Sequence, residues 1–412
     1  MRCTRNIAKD VVWVGVDSRR LAFFEGVYKV PRGISYNSYL LLDKKTVLFD
    51  TVEQDVSPTF MENLESTLGD RPLDYVVIHH MEPDHSATLL DVLNKYPGAR
   101  IVCNEKTESM IEQFFDRKAE CLSVKDGDTL SVGAHTLRFL FAPMVHWPEV
   151  MMTLDESLGI LFSADAFGTF GALNGAIFAD EVDFDRDYLD EARRYYCNIV
   201  GKYGSQVQSA LKKLSSFNIK MIAPLHGFVW RENTDYYINK YTLWSSYTPE
   251  VGGVMIAYSS IYGNTELAAN ILACRLKEQG IPLAMYDTTV TDHSHVLAEA
   301  FKYSHLIFAS PTYNGGVFST MDSLLREIAE HNLKGRTIAF IENGTWSPMA
   351  AKKMREILSP LGKNTFIDQT LVIKSALRDS QCEEIETLAK AIFESIKQLK
   401  MSTDRPDVQQ IC

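Results

Sequence analysis

The first half of the chain is a succession of short apolar runs rich in β-branched and aromatic residues. Runs of this length and composition predict β-strands. They cover residues 11–16, 39–42, 47–49, 75–78, 101–103, 137–141, 151–154, 160–162 and 219–223. Helical spacing of apolar residues occurs at 87–95, 108–115, 187–214 and 235–244. Many strands with few helices predict an α/β sandwich.

The pattern changes at residues 249–253, Pro-Glu-Val-Gly-Gly, where we place a domain boundary. Beyond it, strands predicted at 254–258, 283–286, 306–309, 337–341 and 366–373 alternate with helices predicted at 266–279, 296–302, 321–330, 348–358 and 382–399. Strict alternation predicts a doubly wound parallel sheet. We therefore predict two domains, residues 1–250 and 251–400, and a mobile tail at residues 401–412.

Length, charge and cysteine content narrow the function classes. A chain of 412 residues is longer than one core usually organises, which agrees with two domains. A net charge of −11 gives no electrostatic basis for binding nucleic acid or an anionic membrane surface, so neither is an expected partner. The seven cysteines are scattered singly without a Cys-x-x-Cys pair, as in a protein with reduced thiols and no rubredoxin domain. Because no apolar run near the start is long enough for a signal peptide, we expect a cytoplasmic protein.

The densest set of chemically active side chains follows the predicted strand at 75–78. The segment His-His-Met-Glu-Pro-Asp-His, residues 79–85, holds four potential metal ligands, which are His80, Glu82, Asp84 and His85. Pro83 disfavours helix at Glu82, so the chain stays extended there and successive side chains can diverge towards two ions.

Three further candidates, His146, Asp165 and His226, stand directly after apolar runs. One histidine at a strand end is ordinarily a polar residue whose hydrogen bonds are made within the protein. Three potential ligands at strand ends, together with a loop dense in ligands, instead predict a two-metal centre. Imidazole and carboxylate ligands without thiolate suit iron, manganese and zinc alike, so the residue types leave the metal open.

The form His-x-Glu-x-Asp-His at residues 80–85 resembles the motif of the flavodiiron proteins, a branch of the metallo-β-lactamase superfamily. Glu82 stands where the zinc hydrolases of that superfamily usually have their second histidine. Residues 32–39, 146–148, 165–168, 195–196 and 224–227 also match the family, and the similarity runs from about residue 5 to 400. The resemblance implies an N-terminal metallo-β-lactamase-like αββα sandwich followed by a flavodoxin-like doubly wound parallel sheet.

The resemblance also implies a role for each candidate residue. One iron would be bound by His80, Glu82 and His146. The other would be bound by Asp84, His85 and His226, with Asp165 bridging the two. His79 would lie behind the ligands. Tyr195 would stand near the diiron pocket, and Glu25 would stand at its entrance, where many relatives have a histidine.

The strand predicted at 254–258 runs into a turn and a helix start that bear hydroxyl groups and glycine, a form that suits phosphate binding. The turn is neither a Walker loop nor Gly-x-Gly-x-x-Gly. Its candidate residues are Ser259, Ser260, Ile261, Tyr262, Gly263, Asn264 and Thr265. Two later loops also follow strands, and they contain Ser310, Pro311, Thr312, Tyr313, Asn314 and Gly315, and then Asn343, Gly344, Thr345 and Trp346. Together the three loops resemble flavodoxin, which implies FMN as the cofactor, with its phosphate on the first loop and its ring against the others.

The resemblance implies an oxidoreductase in which two iron ions and FMN reduce O2 to water, NO to N2O, or both. Electrons would come from a separate rubredoxin-like protein or a reduced cofactor. The family arrangement would be a head-to-tail homodimer or a dimer of dimers, with the FMN of one subunit beside the diiron centre of the other. The alternatives are a zinc hydrolase fused to an electron-transfer flavodoxin domain and an electron-transfer flavoprotein with a vestigial metal domain. The second alternative would be expected to lack ligands, whereas all seven are present.

Overall fold

The computed structural model describes residues 3–116 and 120–403. The chain divides into two compact units, Met1–Ser245 and Ser246–Cys412, whereas the boundary expected from the sequence lies between residues 250 and 251. Of the tail expected to be mobile, residues 401–403 continue the last helix and residues 404–412 lie outside the described residues.

Two β-sheets form the core of the first unit. Its strands are β1 (Arg5–Ala8), β2 (Val11–Trp13), β3 (Val16–Ser18), β4 (Phe23–Phe24), β5 (Tyr28–Lys29), β6 (Ile34–Tyr36), β7 (Tyr39–Leu42), β8 (Thr46–Phe49), β9 (Tyr75–Val77), β10 (Arg100–Cys103), β11 (Cys121–Ser123), β12 (Thr129–Ser131), β13 (Thr136–Phe141), β14 (Met151–Asp155), β15 (Ile160–Phe162) and β16 (Met221–Ala223). Seven strands pair in the order β1-β2-β7-β8-β9-β10-β11 and five in the order β12-β13-β14-β15-β16. The ring of Phe162 stacks on Phe49 with centroids 3.9 Å apart and packs on Tyr39 at 5.5 Å, so the two sheets share one apolar core.

The helices of the first unit are α1 (Ser57–Leu68), α2 (Pro83–Ser86), α3 (Leu89–Lys95), α4 (Glu105–Phe115), α5 (Phe184–Asp187), α6 (Leu189–Tyr195), α7 (Gly204–Leu214) and α8 (Thr234–Ser245). The predicted α/β sandwich is confirmed. Because β9, β15 and β16 run parallel to their neighbours or to each other, the loops that follow them can carry polar side chains to one edge of the sandwich.

The second unit contains one sheet of five parallel strands, with a sixth, two-residue strand paired antiparallel to one of them. Its strands are β17 (Val251–Tyr258), β18 (Leu283–Asp287), β19 (Tyr303–Tyr313), β20 (Gly316–Val317), β21 (Thr337–Asn343) and β22 (Thr365–Ile373), and its helices are α9 (Asn264–Glu278), α10 (His293–Lys302), α11 (Ser319–Glu330), α12 (Ala350–Leu358) and α13 (Cys382–Thr403). The order β18-β17-β19-β21-β22 is the doubly wound order in which ligands bind at the carboxyl edge, and the predicted sheet is confirmed. Within the described residues, no helix combines the length and the apolar character that crossing a membrane requires.

The first unit differs from the sequence prediction in its short strands and in two helical regions. The strands that lie outside every predicted run are β1, β4, β5, β6, β11 and β12. Helix α1 was not predicted, although Phe60, Leu64 and Leu68 recur at helical spacing and Pro58 in its first turn is typical of a helix start. The helix predicted over residues 187–214 is interrupted. It ends as α6 at Tyr195, continues as one π-helical turn over Tyr196–Val200 and one 3₁₀ turn over Gly201–Tyr203, and resumes as α7. Glycine in the interior of a helix is unfavourable, so the glycines of this stretch mark the interruption.

We predict that His305 makes the second unit sensitive to acid. This side chain is buried on β19, and burial lowers its pKa from 6.5 to about 4. The unfolded chain therefore binds the proton more readily between these two pH values, and folding stability falls as the pH drops through this window. The full shift corresponds to about 3 kcal/mol. Urea unfolding at a series of pH values should show a shallower loss of stability for His305→Gln than for the wild type.

His293 provides the control of opposite sign. Its Nδ1 lies 3.0 Å from Glu327 Oε1, and this hydrogen bond raises its pKa. Its contribution to stability is fully present at low pH and is lost as the pH rises through the folded pKa, so His293→Gln should be more sensitive to acid than the wild type. Equal slopes for His305→Gln and the wild type would contradict the prediction.

Candidate metal centre and flavin pocket

The ligand loop between β9 and α2 has the backbone that the sequence indicated. Glu82 is extended, with φ −59° and ψ 137°, and Pro83 begins the short helix that carries Asp84 and His85. The loop thereby presents the side chains before Pro83 in an extended segment and those after it on one helical turn. This change of backbone separates the ligands into two sets.

The seven predicted metal ligands form two groups of donor atoms, each within 4.8 Å. The first group is His80, Glu82, His146 and Asp165, and the second is Asp84, His85 and His226. Each group contains imidazole nitrogen and carboxylate oxygen without thiolate. Such donor sets suit a first-row divalent metal ion.

Asp165 lies between the two groups and faces both. Its Oδ2 lies 3.2 Å from His146 Nε2 and 3.4 Å from His80 Nε2. Its Oδ1 lies 3.0 Å from His85 Nε2 and 3.7 Å from His226 Nε2. One carboxylate therefore offers one oxygen to each ligand group, as a bridge between two metals requires.

Hydrogen bonds behind the ligands fix the orientation of two imidazoles. His80 Nδ1 lies 2.8 Å from Glu149 Oε1, and His226 Nδ1 donates to the carbonyl oxygen of Ser35 at 2.7 Å. These contacts leave Nε2 of both rings directed at the ligand groups, the arrangement in which an outer carboxylate or carbonyl orients a metal-binding histidine. His79 takes no part in the ligand groups. It is held between Asp50 and Thr153, as its expected place behind the ligands implies.

We predict that Glu149 controls iron affinity although it belongs to neither ligand group. Glu149→Ala removes the carboxylate partner of His80 and of the Met81 backbone N–H. Loss of such a partner typically weakens metal binding about 10- to 100-fold. Competition with a ferrous chelator measures this change. Glu156→Ala serves as the control, because Glu156 lies in the same unit but pairs with Arg138 at the surface. Equal iron affinity for Glu149→Ala and the control would contradict the prediction.

Several buried polar atoms of the centre have no hydrogen bond within the described residues. They are both carboxylate oxygens of Asp84, both ring nitrogens of His85, Oδ1 of Asp165 and Nε2 of His226. Burial of polar groups without partners costs free energy, and buried charges are normally paired or bind metals. Two cations bound in these groups would provide partners for the carboxylate oxygens and for Nε2 of His85 and His226, so the residues fit a dinuclear iron site.

The charges of the centre are strongly coupled. Burial alone would raise the pKa of Asp165, but the nearby His85 imidazole and the hydrogen bond from His146 hold it well below its usual value. Burial lowers the pKa of His146, yet its contacts with Asp165 and Glu82 raise it overall to about 9. The ligands therefore attract one another before any ion binds, which gathers them into the geometry described above.

The two residues expected beside the pocket occupy different surroundings. Tyr195 is fully buried, its hydroxyl has no hydrogen bond within the described residues, and burial together with Asp165 places its pKa well above the usual value. Gly168 makes room for this ring, because a Cβ there would lie 2.5 Å from Tyr195 Cε1. Glu25 lies on the turn between β4 and β5, beside Glu82. Desolvation and the neighbouring Glu82 carboxylate raise the pKa of Glu25 to about 8.

The second unit has a cavity of about 600 Å³ at the carboxyl ends of its strands. Fourteen of the seventeen predicted flavin-binding residues line it, namely Ser260, Ile261, Tyr262, Asn264, Thr265, Pro311, Thr312, Tyr313, Asn314, Gly315, Asn343, Gly344, Thr345 and Trp346. Ser259, Gly263 and Ser310 lie beside the cavity without lining it. Ser347, Ser375 and Ala376 line it but were missed by the sequence analysis. The last two follow β22, so the rule that points to carboxyl ends of strands could have found them.

The first loop of this cavity is shaped for a phosphate. Gly263 has φ +88°, a backbone conformation that glycine adopts readily, and its N–H donates to Ser260 Oγ at 3.1 Å. Helix α9 begins at the next residue, so its free N–H groups and positive dipole end face the loop. Trp346 and Tyr262 stand at the rim, each 91% exposed. A loop that can bind an anion, next to exposed aromatic rings, fits the phosphate and the ring of FMN.

We predict that Ser260→Ala and Thr265→Ala each weaken FMN binding and leave iron content unchanged. A hydrogen bond to a charged group contributes about 1.5–3 kcal/mol, which corresponds to roughly 10- to 100-fold in affinity. Titration of the flavin-free protein with FMN measures the change. Thr289→Ala is the control, because that hydroxyl bonds to Asp287 after β18 and does not line the cavity. Loss of iron together with flavin would contradict the prediction.

Both halves of the chain match known families. Residues 34–227 match the family model described as ODP family beta lactamase, and residues 256–383 match the flavodoxin model. The anaerobic nitric oxide reductase flavorubredoxin of Aliivibrio fischeri is 32% identical over 371 residues, which are 88% of this chain and 74% of that protein.

Solved structures agree with this assignment. The rubredoxin oxygen:oxidoreductase of Desulfovibrio gigas superposes with a TM-score of 0.90 at 27% identity, covering 96% of this chain and 99% of that one. The flavodiiron protein of Giardia intestinalis superposes with a TM-score of 0.89, also at 27% identity, covering 96% and 98%. The chain therefore belongs to the flavodiiron proteins, as an oxidoreductase with a diiron-binding metallo-β-lactamase-like domain and an FMN-binding flavodoxin domain.

Proposed function

We propose that this protein reduces O2 to water, NO to N2O, or both. The observation that carries the proposal is the Asp165 carboxylate, which offers one oxygen to each of two nitrogen- and oxygen-donor groups in a protein that also has a flavin cavity. A relative from Aliivibrio fischeri is named a nitric oxide reductase, and one from Desulfovibrio gigas is named an oxygen oxidoreductase. These names support both substrates.

We assign the ligands as the sequence analysis did. His80, Glu82 and His146 would hold one iron, Asp84, His85 and His226 the other, and Asp165 both. When bound, the iron pair supplies two electrons and reduced FMN two more, which suffices for the four-electron reduction of O2, whereas joining two NO molecules requires only two. The fourteen cavity-lining residues of the second unit would hold FMN, and Ser259, Gly263 and Ser310 would support its loops.

The protein itself contributes an aromatic wall and proton carriers. The rings of Phe24 and Tyr36 lie 5.3 and 5.7 Å from His226, and Trp147 lies 5.1 Å from His80. These rings limit the water around the ligands, which strengthens electrostatic interactions there. We assign the Tyr195 hydroxyl and the Glu25 carboxyl group as the groups that hold protons beside the substrate.

We further propose that two chains associate head to tail, as a homodimer or a dimer of dimers, in the cytoplasm. Large apolar side chains are exposed around both sites, a property typical of interaction surfaces. On the first unit they are Phe23 and Val27, which flank the turn that carries Glu25, and on the second they include Tyr262 and Trp346. The electron donor would be a separate rubredoxin-like protein or a reduced cofactor.

Metal and flavin analysis followed by parallel rate measurements tests the proposal. Protein expressed with ample iron should contain two iron ions and one FMN per chain. When it is purified anaerobically, reduced chemically and then mixed with O2 or with NO, it should consume one gas or both. Stoichiometric zinc with negligible iron would overturn the proposal and favour the hydrolase alternative. Iron-loaded protein that consumes neither gas would also overturn it.

A further inference from the structure

A continuous series of oxidisable aromatic rings leads from the segment that follows Asp165 to the surface of the first unit. Tyr241 and Tyr237 have ring centroids 5.5 Å apart, Tyr237 stacks on Trp230 at 4.5 Å, and Trp230 stacks on Tyr236 at 6.0 Å. The first three rings are almost completely buried, whereas Tyr236 is only half-buried. We name these four residues the tyrosine–tryptophan series.

The inner end of the series is bonded to the segment that carries Asp165. The backbone N–H of Phe167 donates to Tyr241 Oη at 2.6 Å, and the Phe167 ring packs on Tyr241 at 4.3 Å. Tyr237 Oη donates to the carbonyl oxygen of Gly168 at 3.0 Å. The two inner phenols therefore contact residues that directly follow the bridging carboxylate.

The outer end has an acceptor for a proton. Tyr236 Oη donates a hydrogen bond to the Asp185 carboxylate. Between the two ends, the Trp230 indole N–H is buried and has no hydrogen bond within the described residues. A buried indole usually has a partner for its N–H. Leaving this N–H without one costs free energy that a phenylalanine at position 230 would not cost.

We propose that the tyrosine–tryptophan series carries electrons from the protein surface to the metal centre when the flavin can supply none. Phenol and indole are the aromatic side chains that lose an electron most readily. In each event one electron passes from Tyr236 through Trp230, Tyr237 and Tyr241 to the centre. The Tyr236 O–H bond breaks, its proton goes to Asp185, and a neutral phenoxyl radical remains at the surface. Two such radicals are reduced by two low-molecular-weight thiols, which form one disulfide.

The electron balance makes this route specific to O2. A centre that holds two electrons leaves O2 two electrons short of water, and two passages along the series supply that difference. Two NO molecules need only the two electrons that the centre already has. The inference rests on the proposed function, since it requires a centre that reacts with O2, but its test reads radicals on named residues.

The experiment uses holoenzyme reduced with two electrons per chain and mixed with O2 or NO in the presence of a nitroso spin trap. Electron paramagnetic resonance detects the radicals, and peptide mass spectrometry locates the trapped adducts. After mixing with O2 we expect a phenoxyl signal and an adduct on Tyr236, and after mixing with NO we expect neither. Trp230→Phe keeps a ring against Tyr237 but removes the indole, so the Tyr236 adduct should be lost and oxidation should remain at Tyr237 or Tyr241.

Tyr188→Phe is the matched control, because Tyr188 is a buried tyrosine of the same unit that lies outside the series, with its ring against Phe184, Phe228 and the Arg32 guanidinium. This variant should retain the Tyr236 adduct. An unchanged Tyr236 adduct in Trp230→Phe would overturn the inference, as would wild-type protein that consumes O2 without any adduct on the series. If the protein does not consume O2 at all, the proposal that it reduces O2 is overturned, and this inference is overturned with it.

Discussion

We expect Asp165→Ala to abolish gas reduction while the FMN content stays at its wild-type value. The substitution removes the carboxylate that faces both ligand groups and leaves the His85 and His146 nitrogens without the oxygen atoms 3.0 and 3.2 Å away. Because loss of an outer partner alone costs about 10- to 100-fold in metal affinity, we expect more than about a 100-fold loss for the bridging ligand itself. Iron analysis, flavin absorbance and O2 and NO consumption measure the three outcomes on one preparation.

Asp155→Ala is the matched control for this variant. Asp155 is also a buried aspartate of the first unit, but it pairs with His135 at 2.7 Å and belongs to neither ligand group. It should lower the stability of the unit and leave iron content and gas reduction intact. Iron retained at the wild-type level in Asp165→Ala would contradict the assignment of Asp165 as a metal ligand. FMN lost together with the iron would contradict the binding of metal and flavin by separate units.

A mixed dimer of two inactive chains should recover activity. One chain carries His80→Ala with Asp165→Ala and lacks a metal centre, and the other carries Ser260→Ala with Asn264→Ala and lacks flavin. Each homodimer is inactive because every centre lacks one partner. In a head-to-tail heterodimer, one of the two symmetry-related interfaces joins an intact flavin to an intact diiron centre, so about half of the wild-type activity per dimer should return. Differential affinity tags isolate the heterodimer for rate measurements.

The same experiment distinguishes transfer between chains from transfer within a chain. Neither chain of the heterodimer has both cofactors, so transfer within a chain would leave the heterodimer inactive. No recovery in a heterodimer whose iron and flavin contents are each half of the wild-type value would rule out the head-to-tail arrangement. The proposed ligands and the flavin cavity would be unaffected by that result.

The fold of the second unit could be predicted almost element by element, because its strands and helices alternate and each is long enough to show its own periodicity. The five parallel strands and their order follow from the topology rules for such alternation. The strands of the first unit were harder to predict, since strands such as β3, β4 and β5 have only two or three residues, too few to show an alternation of apolar and polar residues. The break after Tyr195 was also hidden, because a π-helical turn keeps the composition of a helix.

The seven candidate metal ligands could be predicted from the sequence because each follows an apolar strand and their side chains are of the types that bind metal. Their partners could not be found in this way. Glu149 lies 69 positions from His80 in the sequence. The group that orients His226 is the backbone carbonyl of Ser35, which every residue type has, so the sequence cannot indicate it. These contacts depend on how the two sheets face each other, which no local pattern records. The four rings of the tyrosine–tryptophan series are likewise brought together only by folding.

The close approach of Gly168 to the Tyr195 ring constrains how relatives of this chain can diverge. Any side chain at position 168 would overlap the ring, so natural substitutions at the two positions should be correlated: Tyr195 accompanies glycine, and a larger residue at 168 accompanies a smaller one at 195. Gly227 and Thr169 form a second tightly packed pair on the same segment, since a Cβ at 227 would lie 2.7 Å from Thr169 Cβ. Single substitutions in the stretch after Asp165, even ones that look conservative, are therefore expected to disturb the residues packed around it.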